Sequence, residues 1–197
     1  RKDEVWISDS GLITIAGGKL TGYRKMAEHV TDTICKQFEE EGKGTFKKSP
    51  TKNMRLSGGD FSSSAEYPVY VDGMSKALMR LGIGEEESRN MASFYGTNTD
   101  VLLALAEKED VEPSLPLEVR LKLLYALNYE MALSPSDFFI RRTGAMYFHI
   151  EWAEKYKAPV VEYMKSYFGW SEEEYARHSS ELDKRIQEAK AFSEGSE

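Results

Sequence analysis

Gly11-Leu-Ile-Thr-Ile-Ala-Gly-Gly-Lys-Leu-Thr-Gly22 decides how the rest of the chain is read. Residues 11 to 16 are apolar and β-branched, the composition of a buried strand. Gly17 and Gly18 end it. From Leu20 onward, Tyr23, Ala27, Val30, Ile34 and Phe38 recur at steps of three and four, which lays them on one face of a helix. Residues 11 to 38 therefore read as strand, glycine turn and helix. Upstream, Glu4 to Ile7 supplies a partner strand, with Asp9-Ser10-Gly11 as the turn between the two.

Downstream the pattern changes. Residues 39 to 64 are rich in glycine, serine and charge, carry Pro50, and read as a linker. Beyond them alternation almost disappears and helices are expected at about 70–82, 85–95, 98–108, 116–133, 136–154, 158–168 and 172–192. Gly82, Gly84 and Gly96 punctuate these segments, and Ser134-Pro135 places a cap before a proline at a first helical turn. No repeat of fixed period is present. The expected fold is mainly α: residues 1–38 as a strand-turn-helix piece of an α/β domain, 39–64 as a linker, and 65–197 as an all-α C-terminal domain.

At 197 residues, with 41% apolar and 12% aromatic side chains, the chain can bury a core, and a complete multi-domain enzyme is not expected in this length. The net charge of -7 argues against general duplex binding. Residues 1–60 hold 11 Lys and Arg against 9 Asp and Glu, whereas the remaining residues hold 15 against 24, so a small anion would favour the N-terminal part. A lone Cys35 makes no internal disulfide, and no Cys and His cluster has zinc spacing, so no metal site is expected and a reducing compartment fits. No apolar run approaches the roughly 20 residues of a membrane span. The opening Arg1-Lys-Asp-Glu has neither leader pattern nor initiator methionine, which sets the expectation of a piece excised from a longer polypeptide.

Two glycines between a strand and a helix let backbone come close to a ligand. The free N–H groups of the first helical turn, the helix dipole and Lys19 then favour an anion or an electron-rich ring edge there. A plain connector with Lys19 in solvent has the same local pattern. The stretch matches neither the G-x-x-x-x-G-K-[ST] phosphate loop nor G-x-G-x-x-G, and no other segment supplies either. The chain shows no means of holding a nucleotide by itself.

Three segments carry a resemblance. Gly11 to Glu28 resembles the last flavin-domain motif of FAD-dependent, aerobic glycerol-3-phosphate dehydrogenases. Phe94-Tyr-Gly-Thr-Asn-Thr-Asp-Val-Leu-Leu103 resembles that family's aromatic-Tyr-Gly-Ser segment, and Asp137-Phe-Phe-Ile-Arg-Arg-Thr143 its Asp-x-x-x-Arg-Arg-Thr segment. They occur in the family's order across most of the chain. The resemblance implies that residues 1–38 are a remnant of an FAD-binding domain, in a parent that oxidises sn-glycerol 3-phosphate to dihydroxyacetone phosphate and passes electrons through FAD to a membrane quinone. It implies that Gly17, Gly18, Lys19, Leu20 and Thr21 lie beside the flavin, and that Lys19 and Arg1 help bind substrate. Gly22 departs from the family's second threonine there. The parent is expected in the cytoplasm, peripheral at the inner face of the cytoplasmic membrane, with its own upstream FAD-binding domain as the first partner of this chain. No catalytic residue, no bound flavin and no activity are expected of the chain alone; oligomeric state stays open.

In the helical part, Arg141 or Arg142 is expected to join helices through Glu130 or Asp137, because a buried arginine needs a paired carboxylate. His29 reads as helix surface, His149 as partly buried among aromatics, His178 as solvent-facing, and Cys35 as packed; none has convergent catalytic partners. The aromatics from Tyr147 to Trp170 read as core, with a subunit interface or a docking face as the other reading of their number. The segment from Ser171 to Phe192 is too acidic for a lipid anchor. The alternative function is a stand-alone helical protein-interaction module whose glycine turn is only a connector.

Overall fold

Strands β1 (Asp3–Ile7) and β2 (Ile13–Gly17) form an antiparallel hairpin in the computed structural model, which describes residues 3–107 and 115–194. Val5 stands opposite Ile15 and Ile7 opposite Ile13. The five-residue connection closes through Ser8 N–H to Leu12 O at 3.0 Å and Gly11 N–H to Ser8 O at 2.9 Å, with Gly11 at φ +83°. A 3-10 turn over Leu20–Gly22 leads into α1 (Tyr23–Glu40). The order of strand, turn and helix is as the glycine and apolar pattern places it, but the strand expected over 11–16 runs from Ile13 to Gly17 and is not buried, because two strands and one helix do not enclose it. The chain divides into two compact units, Arg1–Leu56 and Ser57–Glu197, and among the described residues of the first unit none is buried.

Among the described residues of the second unit every regular element is a helix. It contains α2 (Glu66–Arg80), α3 (Glu85–Tyr95), α4 (Thr99–Ala106), α5 (Leu117–Tyr129), a π-helical turn over Asp137–Arg142, α6 (Ala145–Phe148), α7 (Ile150–Phe168) and α8 (Glu172–Glu194). Helix α2 packs on α3, α4 on α5, and α7 on α8. The core is continuous: Leu78, Met91, Leu102, Val119, Leu121, Leu123, Phe138, Phe139, Val160 and Met164 are all essentially inaccessible. Burial of this kind contributes about 1.5–3 kcal/mol for each large side chain. A mainly α protein behind a two-stranded hairpin is thus what the chain forms.

Several expected helix boundaries move: α2 begins at Glu66 rather than at 70, and α5, expected to run to 133, ends at Tyr129, where Met131 turns left-handed at φ +54°. The segment expected as one helix over 136–154 is broken by Gly144, at φ +65°, and again at His149. The break expected before 158 is absent, because α7 runs unbroken through Pro159. Proline removes one backbone donor there, but the flanking Tyr156, Val160 and Val161 are buried in the core and hold the helix across it. The expected end of the third helix at Lys108 lies outside the described residues, as does Arg1.

Residues 57 to 61, linker by composition, cross the corner between α3 and α4. The Gly58 carbonyl accepts the Thr97 N–H at 3.0 Å, and Asn98 Nδ2 donates to Ser57 Oγ at 2.8 Å. Phe61 meets the edges of Tyr67 and Tyr70, each at 5.5 Å. At the crossing the two backbones nearly touch: a Cβ on Gly96, whose φ is +52°, would stand 2.0 Å from Gly58 O. The Tyr95-Gly96-Thr97 segment therefore has a steric reason for its glycine.

Gly96→Ala is expected to destabilise the helical unit by roughly 2–4 kcal/mol, through strained φ and overlap together. Gly73→Ala, in open space on α2, is expected to stabilise it by about 0.5–1 kcal/mol. Thermal unfolding of the two variants checks both signs.

Candidate functional site

Two consecutive glycines at the end of β2 adopt left-handed backbone, Gly17 at φ +96° and Gly18 at +78°. That reverses the chain within two residues and leaves no side chain on the inside of the bend. Lys19 is then extended, at φ -97° and ψ 148°, and caps the 3-10 turn without any side-chain hydrogen bond. Gly22 N–H donates to Lys19 O at 2.8 Å, so the turn is closed by backbone alone. The first N–H groups of such a turn have no partner inside the helix and point outward with the positive end of the dipole.

Beside this corner lies an open hollow of ≈ 580 Å³, walled by Gly17, Gly18, Lys19 and Leu20 and by Tyr23 and Ala27 of α1. Leu20 is 92% exposed and Tyr23 64%. The structure therefore places Gly17, Gly18, Lys19 and Leu20 at one surface with an apolar floor, whereas Thr21, inside the 3-10 turn, does not line the hollow. Its chemistry suits the edge of a flat ring with electron-rich oxygens: amide donors, one cation, no Cβ at the bend and no carboxylate in the lining. Further along α1, His29 is exposed and Cys35 half-buried. Arg24 pairs with Glu28 at 2.5 Å and reaches Thr51 at 3.1 Å.

The charged residues of the helical unit form a capping device. Ser134 N–H and Oγ donate to Asp137 Oδ2 at 3.0 and 2.9 Å, Leu133 N–H donates to the same oxygen at 3.1 Å, and Asp137 N–H donates back to Ser134 Oγ at 3.1 Å. This is a capping box with Pro135 as the first helical residue. Arg141 Nη1 donates to Asp137 Oδ1 at 2.7 Å, one turn along the same element. The expected pairing of Arg141 with Asp137 is present, but it staples a helix start rather than joining two helices. Arg142 acts on Glu130 through its charge, which partly offsets the upward push of burial on that carboxyl. Its own Nε is buried without a hydrogen-bond partner.

A larger hollow, ≈ 990 Å³, opens between α3, α5 and α7. Lys122 Nζ sits in it, paired to Glu87 at 2.5 Å and 5.4 Å from the centre of the Trp152 ring. His149 reaches the rim and is exposed, not partly buried as its aromatic neighbours suggest, because α6 ends there. His178 departs in the other direction. It is half-buried and stacked on Trp170 at 4.1 Å, its Nδ1 has no partner, and burial with Arg177 beside it holds it below the usual histidine range. The aromatic stretch is mixed: Tyr156 and Tyr163 are core, whereas Tyr147 and Phe148 are exposed. No signal of periodicity marks Lys122, Glu87 and Trp152 as neighbours, since three separate helices supply them.

A helical domain that follows a two-stranded hairpin, a glycine turn and a helix is the class of architecture that this fold defines. Residues 49–175 match the family model described as the C-terminal domain of alpha-glycerophosphate oxidase, and the chain belongs to that family. It is 40% identical over 192 residues to the aerobic glycerol-3-phosphate dehydrogenase of Bacillus subtilis, a match spanning 96% of this chain and 35% of that protein. The corresponding protein of Staphylococcus epidermidis is 40% identical over 191 residues, covering 96% and 34%. Among solved structures, the glycerol-3-phosphate dehydrogenase from Bacillus halodurans complexed with FAD superposes with a TM-score of 0.81 at 39% identity, over 93% of this chain and 37% of that one. The chain thus spans about a third of the length of these relatives, and the resemblance carried by residues 11–28, 94–103 and 137–143 holds.

The capping device has a pH signature. Burial acts to raise the Asp137 carboxyl, but the hydrogen bonds from Ser134 and Leu133, with Arg141 beside them, prevail and hold it below the usual carboxylate range. A depressed folded value means that the stabilisation is complete above the unfolded value of about 3.9 and is lost as pH falls through the folded one. Asp137→Asn is expected to cost about 1 kcal/mol at pH 7, and the difference from the parent chain should shrink in melts taken below about pH 4.

Proposed function

We propose that this chain is the C-terminal third of an FAD-dependent dehydrogenase that oxidises sn-glycerol 3-phosphate to dihydroxyacetone phosphate with a quinone as electron acceptor. The observation that carries it is 40% identity over almost the whole chain to aerobic glycerol-3-phosphate dehydrogenases. The B. halodurans neighbour, which is complexed with FAD, supports the choice of cofactor. FAD, when bound, accepts the hydride from the substrate's carbinol carbon.

The residues of this chain then have separate tasks. The amides of Gly18 to Thr21 and the helix dipole behind them place partial positive charge where negative charge develops on the ring edge. Gly17 and Gly18 let the backbone approach that edge without a side chain in the way. Lys19, helped by Arg1, neutralises the substrate phosphate. The helical unit is a scaffold and interaction domain, and the chain by itself neither holds flavin nor turns over substrate. Its partners on this reading are the upstream flavin-binding portion, the substrate sn-glycerol 3-phosphate and a membrane quinone, with no nucleic acid. The setting is the cytoplasm, with the longer protein peripheral at the inner face of the membrane. No helix among the described residues is long and apolar enough to cross one.

In the longer flavoprotein, Lys19→Met is expected to raise the KM for sn-glycerol 3-phosphate by about tenfold or more, as loss of a phosphate-paired cation implies. Unchanged KM together with an unchanged flavin potential would remove the assignment of this corner.

A further inference from the structure

Met131 is the one described residue other than glycine with a positive φ, at +54°. It stands where α5 stops. The N–H groups of Glu130 and Ala132 both donate to Ala126 O, at 3.2 and 3.0 Å. Glycine is the usual occupant of the left-handed position in such a stop, and a methionine there is strained. Nothing in its surroundings repays the strain, because the side chain is 78% exposed. Its apolar neighbours face outward too, Tyr129 at 57% and Leu133 at 62% exposed, while Ala132 between them is buried.

The tip is also stiff. Its far end is held by the Asp137 carboxylate, which accepts the N–H groups of Leu133 and Ser134 at 3.1 and 3.0 Å. Its near end is held by Tyr129 stacked on Tyr125, with ring centres 5.3 Å apart. Three apolar side chains at alternate positions on a backbone fixed at both ends have little freedom left to lose on contact, which is how a binding hot spot is built. Strain kept at an exposed position points to function rather than to folding.

We propose that residues 129–133 are the surface by which the helical unit docks onto the flavin-binding portion of the longer protein, an inference that rests on the function proposed above. The charge pattern argues against a lipid or nucleic-acid occupant: the charged residues of the tip and its anchor, Glu130 and Asp137, are acidic, and the arginines beside them, Arg142 and Arg141, already act on those two carboxylates. Area excludes a second copy held by this tip alone, since three side chains fall short of the roughly 800 Å² per partner of a stable association. A covalently tethered partner needs far less, because the linkage supplies the effective concentration. About two-thirds of the relatives' length lies beyond the stretch that this chain matches, and that part supplies the tethered partner.

The test compares Met131→Gly and Met131→Asp in the 197-residue chain and in the longer flavoprotein. In the short chain Met131→Gly relieves strain and should raise the melting temperature. In the longer protein both variants should lower the midpoint of thermal flavin release, by about 3 °C or more, so Met131→Gly acts with opposite signs in the two settings. Flavin release unaffected by Met131→Asp, or Met131→Gly raising both midpoints, overturns the docking surface and leaves the proposed function standing. Concentration-dependent dimerisation of the short chain that Met131→Asp abolishes assigns the tip to a second copy and overturns it as well. A longer protein that binds no flavin overturns the proposed function and this inference together.

Discussion

Two strands and one amphipathic helix cannot enclose a dry interior, and that limit shapes everything about the first unit. An isolated hairpin is marginal in water, and a helix draws most of its stability from the face it buries. Here Val30 and Ile34 of α1 are half-covered while Leu20 and Tyr23 lie open, and none of its residues is buried. The apolar stripe of the sequence is therefore real as a helix face but has no matching surface within the unit. The helical unit is the opposite case. It closes around α5, of which Val119, Leu121, Leu123 and Leu124 are buried, and needs nothing further to form a core.

This contrast separates chemistry from scaffold. The groups that suit an electron-rich ring edge sit on the unit without an interior, at a corner made of backbone amides, two glycines and one lysine. The helical unit has a larger hollow, yet the half-buried Lys122 ammonium in its lining is already paired with Glu87 and lies against Trp152. A neutralised ion pair in an aromatic recess serves packing better than it serves a reaction. Size of cavity is thus a poorer guide here than the disposition of unpartnered donors.

How much was legible depended on whether the signal was local. The strand, the glycine turn and α1 follow from β-branching, from two adjacent glycines and from a three-four spacing, all within thirty residues. Helix α3 runs from Glu85 to Tyr95 because Gly84 and Gly96 bracket it. The Ser134-Pro135 cap was visible because a capping box is written in four consecutive residues. By contrast, α7 passes through Pro159 because of burial supplied by other helices, which no local pattern records. The π-helical turn at Asp137–Arg142, closed by Thr143 N–H to Phe138 O at 2.9 Å, brings Phe138 and Phe139 together into the core, and its sequence gives no sign of the wider winding. His178 was misplaced for the same reason, since Trp170 comes to it from beyond its own helix. The backbone of the corner, two left-handed glycines and an extended Lys19, was readable, while its role belongs to the proposal. Arg1 lies outside the described residues, so its contribution stays with the proposal.

The crossing of Gly58 over Gly96 has a consequence for how the polypeptide would come apart. Because the segment from Ser57 to Phe61 is locked into the helical unit, the exposed stretch that a protease can thread into its cleft ends at Leu56 rather than at the start of α2. Scission there would trim away the hairpin and α1 and leave a resistant remnant with Ser57 at its new amino end. The seam between the unit that carries the donors and the unit that carries the core is therefore set by two hydrogen atoms, one on each glycine, in the space where side chains would otherwise be.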